Sequence, residues 1–215
     1  MTDFSARREM MVDTQVRPSD VTKFPIIAAM LKVPREVYVP HALREAAYLG
    51  GNLRIAAERE LIEARTLAKM LEALDLQPGE RVLHLACGLG YGTAVMAQLC
   101  GQITGVEDSA EMAGAAGERL AGQGVANARV LCGPLSAPTG GPYDAIVIEG
   151  GVEEVGEEVL SHLAEGGRIA AIFMQGALGV VRIGTRAGGV TGWRDVFNAS
   201  ASVLGAFERA RAFTL

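Results

Sequence analysis

From Gly79 onwards the chain alternates short apolar runs with stretches of helical character, and few architectures accept that order. "RVLHLA" (81–86), "QITGVE" (102–107), "ARVLCG" (128–133), "YDAIVIEG" (143–150) and "GRIAAIFM" (167–174) have the length and apolar content of strands covered on both faces. "GTAVMAQLC", "AEMAGAAGERLAGQG" and "EEVGEEVLSHLAEG" lie between them and read as helices. A parallel strand pair needs a crossover segment over the sheet, so the alternation predicts an α/β fold with a doubly wound, mostly parallel sheet. The tail departs from the pattern. "GVVRIGTR" (179–186), a Gly-rich turn at 188–192 and a last run "ERARAFTL" (208–215) predict a hairpin-like antiparallel edge with a long connection.

Residues 1–77 read differently, as a helical and charged N-terminal extension. In "DVTKFPIIAAMLKVP", Asp20 is placed to cap a helix whose apolar face runs through Ile26, Ile27, Met30 and Leu31, and Pro34 ends it. In "ELIEARTLAKMLEALDL", Leu61, Ile62, Leu67, Leu71 and Leu74 recur at near-helical spacing. Pro78-Gly79 then separates this extension from a second unit, 78–215.

Composition narrows the function classes. A net charge of −5 argues against nucleic acid as partner, because backbone phosphates call for a basic face. Cys87, Cys100 and Cys132 make no CxxC pair and no Cys/His cluster, so neither a metal site nor a disulfide framework is expected. The start "MTDFSARREMMVDTQVRP" carries charges where a signal peptide is apolar, and no apolar run approaches the roughly 20 residues of a membrane span. The expectation is a cytoplasmic protein with no membrane partner; the sequence leaves the oligomeric state open.

The chemistry concentrates in "HLACGLGYG" (84–92), which follows a strand and opens a helix. Ligands of doubly wound sheets bind beyond the carboxyl ends of the strands, glycines let the backbone approach them, and a helix start offers free N–H groups. Gly88, Gly90 and Gly92 give G-x-G-x-G, not the G-x-G-x-x-G of a dinucleotide turn, and no Gly-Lys-Ser/Thr follows to make a Walker loop. Ala86 occupies the place of a first glycine, as its smallest replacement, tolerable if its φ is negative. Glu107, one strand later, has the position of a ribose-binding carboxylate; the alternative is that Glu107 and Asp108 cap the next helix. His84 is expected to be a hydrogen-bonded structural histidine, Cys87 a small buried filler, and Trp193 either a packing residue over the last hairpin or the lining of a substrate mouth.

These motifs carry a resemblance. "RVLHLACGLGYGTAVMAQLCGQITGVE" resembles class I S-adenosylmethionine-dependent methyltransferases. "MVDTQVRPSDVTKFPIIAAMLKVPREVYVP" and "GPYDAIVIEGGVEEVGEEVLSHLAEGGRIAAI" are similar to one branch, the protein-L-isoaspartate O-methyltransferases, over roughly 10–175. The resemblance implies a Rossmann-like domain at 78–215 that binds S-adenosyl-L-methionine, with 1–77 as a substrate-side cap and a protein or peptide carboxylate as methyl acceptor. It places the methionine end of the cofactor at Ala86, Cys87, Gly88 and Gly90 and the ribose at Glu107, with Tyr91 and Asp108 as further cofactor-binding residues. Adenine falls to Gly133, Pro134 and Leu135; Glu149 and Gly150 are placed at the cofactor too, although Glu149-Gly150-Gly151 stands where the family usually has threonine and small residues. Pro134 stands where the family often has an aspartate and lacks both that acceptor and an N–H.

The main departure lies in "ERELIEARTLA" (58–68). The family's Thr-Ile-Ser-x-Pro becomes Leu61-Ile62-Glu63-Ala64-Arg65, so Glu63 replaces the serine that sits by the cofactor methyl and the substrate carboxylate. A carboxylate there repels a carboxylate substrate unless it is protonated or paired. Arg65 is the candidate partner, although two residues apart on a helix they are expected to face different ways, as solvated side chains. Three functions remain on these residues: isoaspartyl carboxylate methylation, methylation of another acceptor, and cofactor binding without catalysis. A dinucleotide oxidoreductase is disfavoured by the glycine spacing.

Overall fold

A computed structural model describes residues 3–210. Helix α1 (Phe4–Met11) starts at Asp3, whose carboxylate accepts the N–H groups of Ser5 and Ala6 at 3.0 and 3.1 Å. It runs through a π-turn (Val12–Val16) into a short 3-10 turn (Arg17–Ser19). Helix α2 (Phe24–Lys32) follows, then 3-10 turns at Arg35–Tyr38 and His41–Ala46. Asp20 is not the cap of α2: it lies in the left-handed region at φ 61°. The α2 start is instead held by Glu72, which accepts the N–H groups of Thr22 and Lys23 at 3.3 and 3.1 Å and the Thr22 hydroxyl at 2.9 Å. A distant carboxylate has replaced a local one.

The N-terminal extension is not all helical. Strands β1 (Leu53–Ala56) and β2 (Arg59–Leu61) form a small antiparallel hairpin ahead of α3 (Ala64–Leu74). Leu61 and Ile62 are therefore not helical, although both are as buried as Leu67, Leu71 and Leu74.

The main sheet contains β3 (Arg81–Leu85), β4 (Gln102–Glu107), β5 (Ala128–Cys132), β6 (Tyr143–Val152), β7 (Leu163–Gln175), β8 (Leu178–Ala187) and β9 (Val190–Asn198). Its order is β5-β4-β3-β6-β7-β8-β9, parallel from β5 to β7 and antiparallel thereafter. The chain runs outward from β3 through β4 to β5, then restarts on the other side with β6, which puts the topological switch between β3 and β6. Helices α4 (Tyr91–Met96), α5 (Ala110–Gly122) and the one-turn α6 (Glu157–Leu160) accompany it.

Two expectations are corrected here. The helix read over 153–166 shrinks to α6, because Leu163 is already paired with Tyr143 and the segment is drawn into β7. The antiparallel edge closes through a tight turn, not a long connection. Gly188 and Gly189 both have positive φ (59° and 78°), as a two-residue hairpin turn requires, and β9 begins at the next residue. Residues 208–210 are not strand, and 211–215 lie outside the described residues.

Alternation along the strands builds a core on each face. Val82, Ala145, Val147, Ala170 and Ile172 join the N-terminal helices and α4. Leu83, Leu85, Ile146, Ile148, Ile169 and Ala171 face the other side with Leu204 and Phe207. After β9 the chain turns back across β6: the Gly151 N–H donates to the Ser202 carbonyl and the Leu204 N–H to the Gly151 carbonyl, both at 2.9 Å.

Candidate active site

The loop from β3 to α4 is built on left-handed backbone. Gly88 and Gly90 have φ of 56° and 96°, and Gly90 is the residue from which α4 starts. Ala86 also lies there, at φ 55°, so the condition of a negative φ is not met. A Cβ in that region costs about 1–2 kcal/mol, so Ala86 holds strain that a glycine would not. Gly92 has a different reason to be glycine: a Cβ would lie 2.2 Å from Glu149 Oε2 and 2.8 Å from His84 Cε1.

Those two side chains form a buried group beneath the loop. His84 Nδ1 lies 2.9 Å from the Thr93 hydroxyl, and Nε2 lies 3.0 Å from Glu149 Oε2, without the alignment of a full hydrogen bond. His84 is thus the structural histidine expected, and Glu149 faces it from β6. Gly150 is packed under Leu204, 2.8 Å from where its Cβ would stand. Cys87 is buried, and that burial pushes its thiol well up from the ordinary range. Tyr91 is buried too, under the Arg35 guanidinium (4.6 Å from the ring centroid) and edge-on to Tyr38 at 6.1 Å.

At the end of β4, Glu107 is fully buried. Its Oε2 accepts the Gly88 N–H at 2.9 Å, which ties the acid directly to the glycine loop. Its Oε1 accepts the Asp108 N–H at 3.1 Å and Arg59 Nε at 2.9 Å. Burial pushes the Glu107 carboxyl up, while Arg59 and the Gly88 N–H pull it back. Arg59 also pairs with Asp108 at 2.5 Å. The helix after β4 is capped by Ser109, not by Glu107 or Asp108. Beyond β5, the Gly133 N–H donates to the Glu107 carbonyl at 3.0 Å, Pro134 is exposed, and Leu135 is buried in the same cluster as Leu85 and Ala86. The loop glycines, Glu107 and residues 133–135 thus meet at the carboxyl edge of β3, β4 and β5.

Glu63 stands at the start of α3 with non-helical backbone (φ −55°, ψ 147°). Its carboxylate accepts from Arg65 at 3.0 Å and from the Thr66 hydroxyl at 2.7 Å. The two residues therefore do pair: the helical spacing rule does not apply to a residue that precedes the helix. The Glu63 N–H donates to Asn52 Oδ1 at 3.0 Å. Asn52, Glu63, Arg65, Leu178, Gly179 and Asn198 line an open cavity of about 590 Å³. A cavity of the same volume beside Arg81, Thr104 and Arg129 lies by the amino-terminal halves of the strands, away from these groups. Trp193 packs edge-on to Phe173 at 4.8 Å, the packing alternative of its two readings.

Two residues escape sequence reading. Arg35, buried in the "VPRE" segment, donates to the carbonyls of Ala47 and Ile62 at 2.7 Å each and so fixes the residue before Glu63. Arg59 pairs with an acid 48 positions away. The only signal for Arg35 is an arginine inside an otherwise apolar stretch, and for Arg59 there is none.

The family model described as protein-L-isoaspartate(D-aspartate) O-methyltransferase matches residues 6–181. The chain belongs to this family. A protein-L-isoaspartate O-methyltransferase 1 from Rhodopseudomonas palustris is 39% identical over 170 residues, 78% of this chain and 69% of the relative. One from Methylorubrum populi is 38% identical over 170 residues, 79% of each. Among solved structures, a protein-L-isoaspartate O-methyltransferase superposes with a TM-score of 0.78 at 22% identity, over 94% of this chain and 66% of that one. A Plasmodium falciparum chain assigned to the same activity, in complex with S-adenosyl-L-homocysteine, gives 0.79 at 18% identity over 96% of this chain and 100% of its own. These two likenesses establish the α/β methyltransferase fold. The family match ends inside β8, so β9 and the returning segment stand outside it.

Proposed function

We propose that this chain transfers the methyl group of S-adenosyl-L-methionine to a carboxylate of an isoaspartyl residue in a protein or peptide. The observation that carries the reading is the bond from the Gly88 N–H to Glu107, which joins a left-handed glycine loop to a buried acid beside the topological switch. That arrangement fits a nucleoside carrying an amino-acid arm. The backbone at Ala86, Cys87, Gly88 and Gly90, buried as it stands, would border the arm, and Glu107 has the chemistry to accept from a ribose diol. Residues 133–135 would bound the base.

The bound cofactor supplies an activated methyl on a sulfonium. The chain's own part is alignment and electrostatics. An acceptor carboxylate is already a nucleophile at neutral pH, so no general base is needed. Glu63 would oppose it, but Arg65 and Thr66 hold the Glu63 carboxylate and leave the cavity near neutrality. Residues 1–77 serve in this reading as the substrate-side cap, with Arg35 holding Ile62 and hence Glu63 in place.

Glu63 itself supports a second reading, methylation of a different acceptor at the same cofactor. Calorimetry with S-adenosyl-L-homocysteine and a methylation assay on an isoaspartyl peptide separate the two. Binding with peptide turnover supports the first; binding without it leaves the second and cofactor binding without catalysis, which turnover on any other acceptor separates. No binding at millimolar ligand defeats both. Among the described residues, no helix is long and apolar enough to cross a membrane.

A further inference from the structure

The β1–β2 hairpin lies over the groups that would receive the cofactor. Arg59 and Glu107 are 6% and 0% exposed at the side chain. Glu107 Oε1 is taken by Arg59 Nε and the Asp108 N–H, and Oε2 by the Gly88 N–H. With one acceptor site left on a carboxylate that has no exposed surface, a ribose diol donating both hydroxyls to it must take the place of the guanidinium. The neighbouring strand adds a steric cover: Ile55 Cδ1 lies 3.1 Å from where a Cβ of Gly88 would stand.

On its other side the hairpin is fastened to the segment that returns after β9. Glu60 accepts the Ser202 N–H at 3.0 Å and the Ser202 hydroxyl at 2.9 Å, and Asn52 Nδ2 donates to the Ser200 carbonyl at 2.9 Å. Strands of four and three residues with an irregular register make a marginal hairpin on their own. What positions it is this set of side-chain ties, two hydrogen bonds to the cofactor acids and three to the returning segment. Such an element opens at lower cost than the core strands do.

We propose that the β1–β2 hairpin is a self-occluding cover of the cofactor site: Arg59 holds Glu107, and the cofactor enters by displacing it. The inference rests on the cofactor reading above. Its consequence is a coupling between the two halves of the site. Asn52, at the base of β1, accepts the Glu63 N–H and lines the acceptor cavity, so a hairpin that lifts from Glu107 also moves a wall of that cavity. Apparent cofactor affinity is then the intrinsic affinity reduced by the fraction of chains already open.

The test is calorimetric titration of the full chain with S-adenosyl-L-homocysteine, in wild type, Arg59→Gln and Glu60→Ala, with amide exchange followed across 53–61. Removing either tie should tighten binding, by roughly tenfold for Arg59→Gln and severalfold for Glu60→Ala, about what one charge-assisted hydrogen bond corresponds to. Ligand should speed exchange in the wild-type hairpin. Glu60→Ala leaves the Glu107 pair intact and keeps the test decisive if Arg59→Gln folds poorly. Equal affinities in the chains that fold overturn the cover while leaving the cofactor reading in place. Weaker binding by Arg59→Gln also overturns it, since Arg59 would then be a contact for the ligand. Hairpin amides that slow on binding do the same. Failure of every chain to bind overturns the cover and the cofactor reading together.

Discussion

His84 Nε2 and Glu149 Oε2 face each other at 3.0 Å across β3 and β6, and neither side chain is more than 4% exposed. The pair explains a glycine that backbone conformation does not. Gly92 → Ala would drive a Cβ to 2.2 Å from Glu149 Oε2, and both partners are hemmed in by neighbours. We expect Gly92→Ala to destabilise by about 1–3 kcal/mol, as overpacking in a closed interior does. Adding Glu149→Ala should recover part of that loss, and strictly additive losses in urea denaturation would refute the steric account.

Ala86 offers the opposite change. At φ 55° its side chain works against the backbone. Ala86→Gly should stabilise by about 0.5–1 kcal/mol, the left-handed penalty less the extra chain entropy of glycine. A lower urea midpoint in the variant would show that the strain is absent.

Arg65 and Glu63 form a partly exposed pair, with 41% and 25% of their side chains accessible. Breaking it should cost under about 1 kcal/mol in stability. Its expected effect is on the acceptor. Arg65→Ala releases the Glu63 charge into the cavity and should raise KM for an isoaspartyl peptide severalfold, with S-adenosyl-L-homocysteine affinity unchanged. Glu63→Ser should lower KM. Steady-state kinetics at fixed cofactor check both.

Tyr38 predicts an alkaline limit. Its hydroxyl is buried without a partner, and burial, followed by the nearby Tyr91, pushes it up to about 12. The unfolded chain ionises this phenol near pH 10, so above that it binds fewer protons than the folded chain does. Stability should fall as pH rises from 10 to 12 and be fully present below 10. Denaturation midpoints across that window, read with phenolate absorbance, test the sign; Tyr38→Phe should flatten the slope.

The parallel half of the sheet was legible because β3, β4 and β6 are buried on both faces, and short, mostly apolar runs such as "RVLHL" spaced by helical stretches mark strands of that kind. Strand β9 was hidden for the same physical reason inverted: at the sheet edge, "VTGWRDVFN" has neither a continuous apolar run nor strict alternation, and all of it is exposed or half-buried. The β1–β2 hairpin was hidden because its stability comes from partners far along the chain. Within the site, glycine spacing and the acid after β4 pointed to Gly88 and Glu107, which the structure joins by a hydrogen bond. Reading Glu63 and Arg65 as helical neighbours failed because cap backbone is not helical.

Met11, Val12, Leu67 and Leu71 from the N-terminal elements belong to the same apolar cluster as Val82, Val95 and Ile172 of the sheet and α4. The part of the molecule that would recognise an acceptor is therefore not a detachable accessory. Relatives cannot exchange it as a cassette without also exchanging the interior on which the cofactor loop stands. Divergence on such a frame is expected to proceed by single replacements at cavity positions such as Glu63.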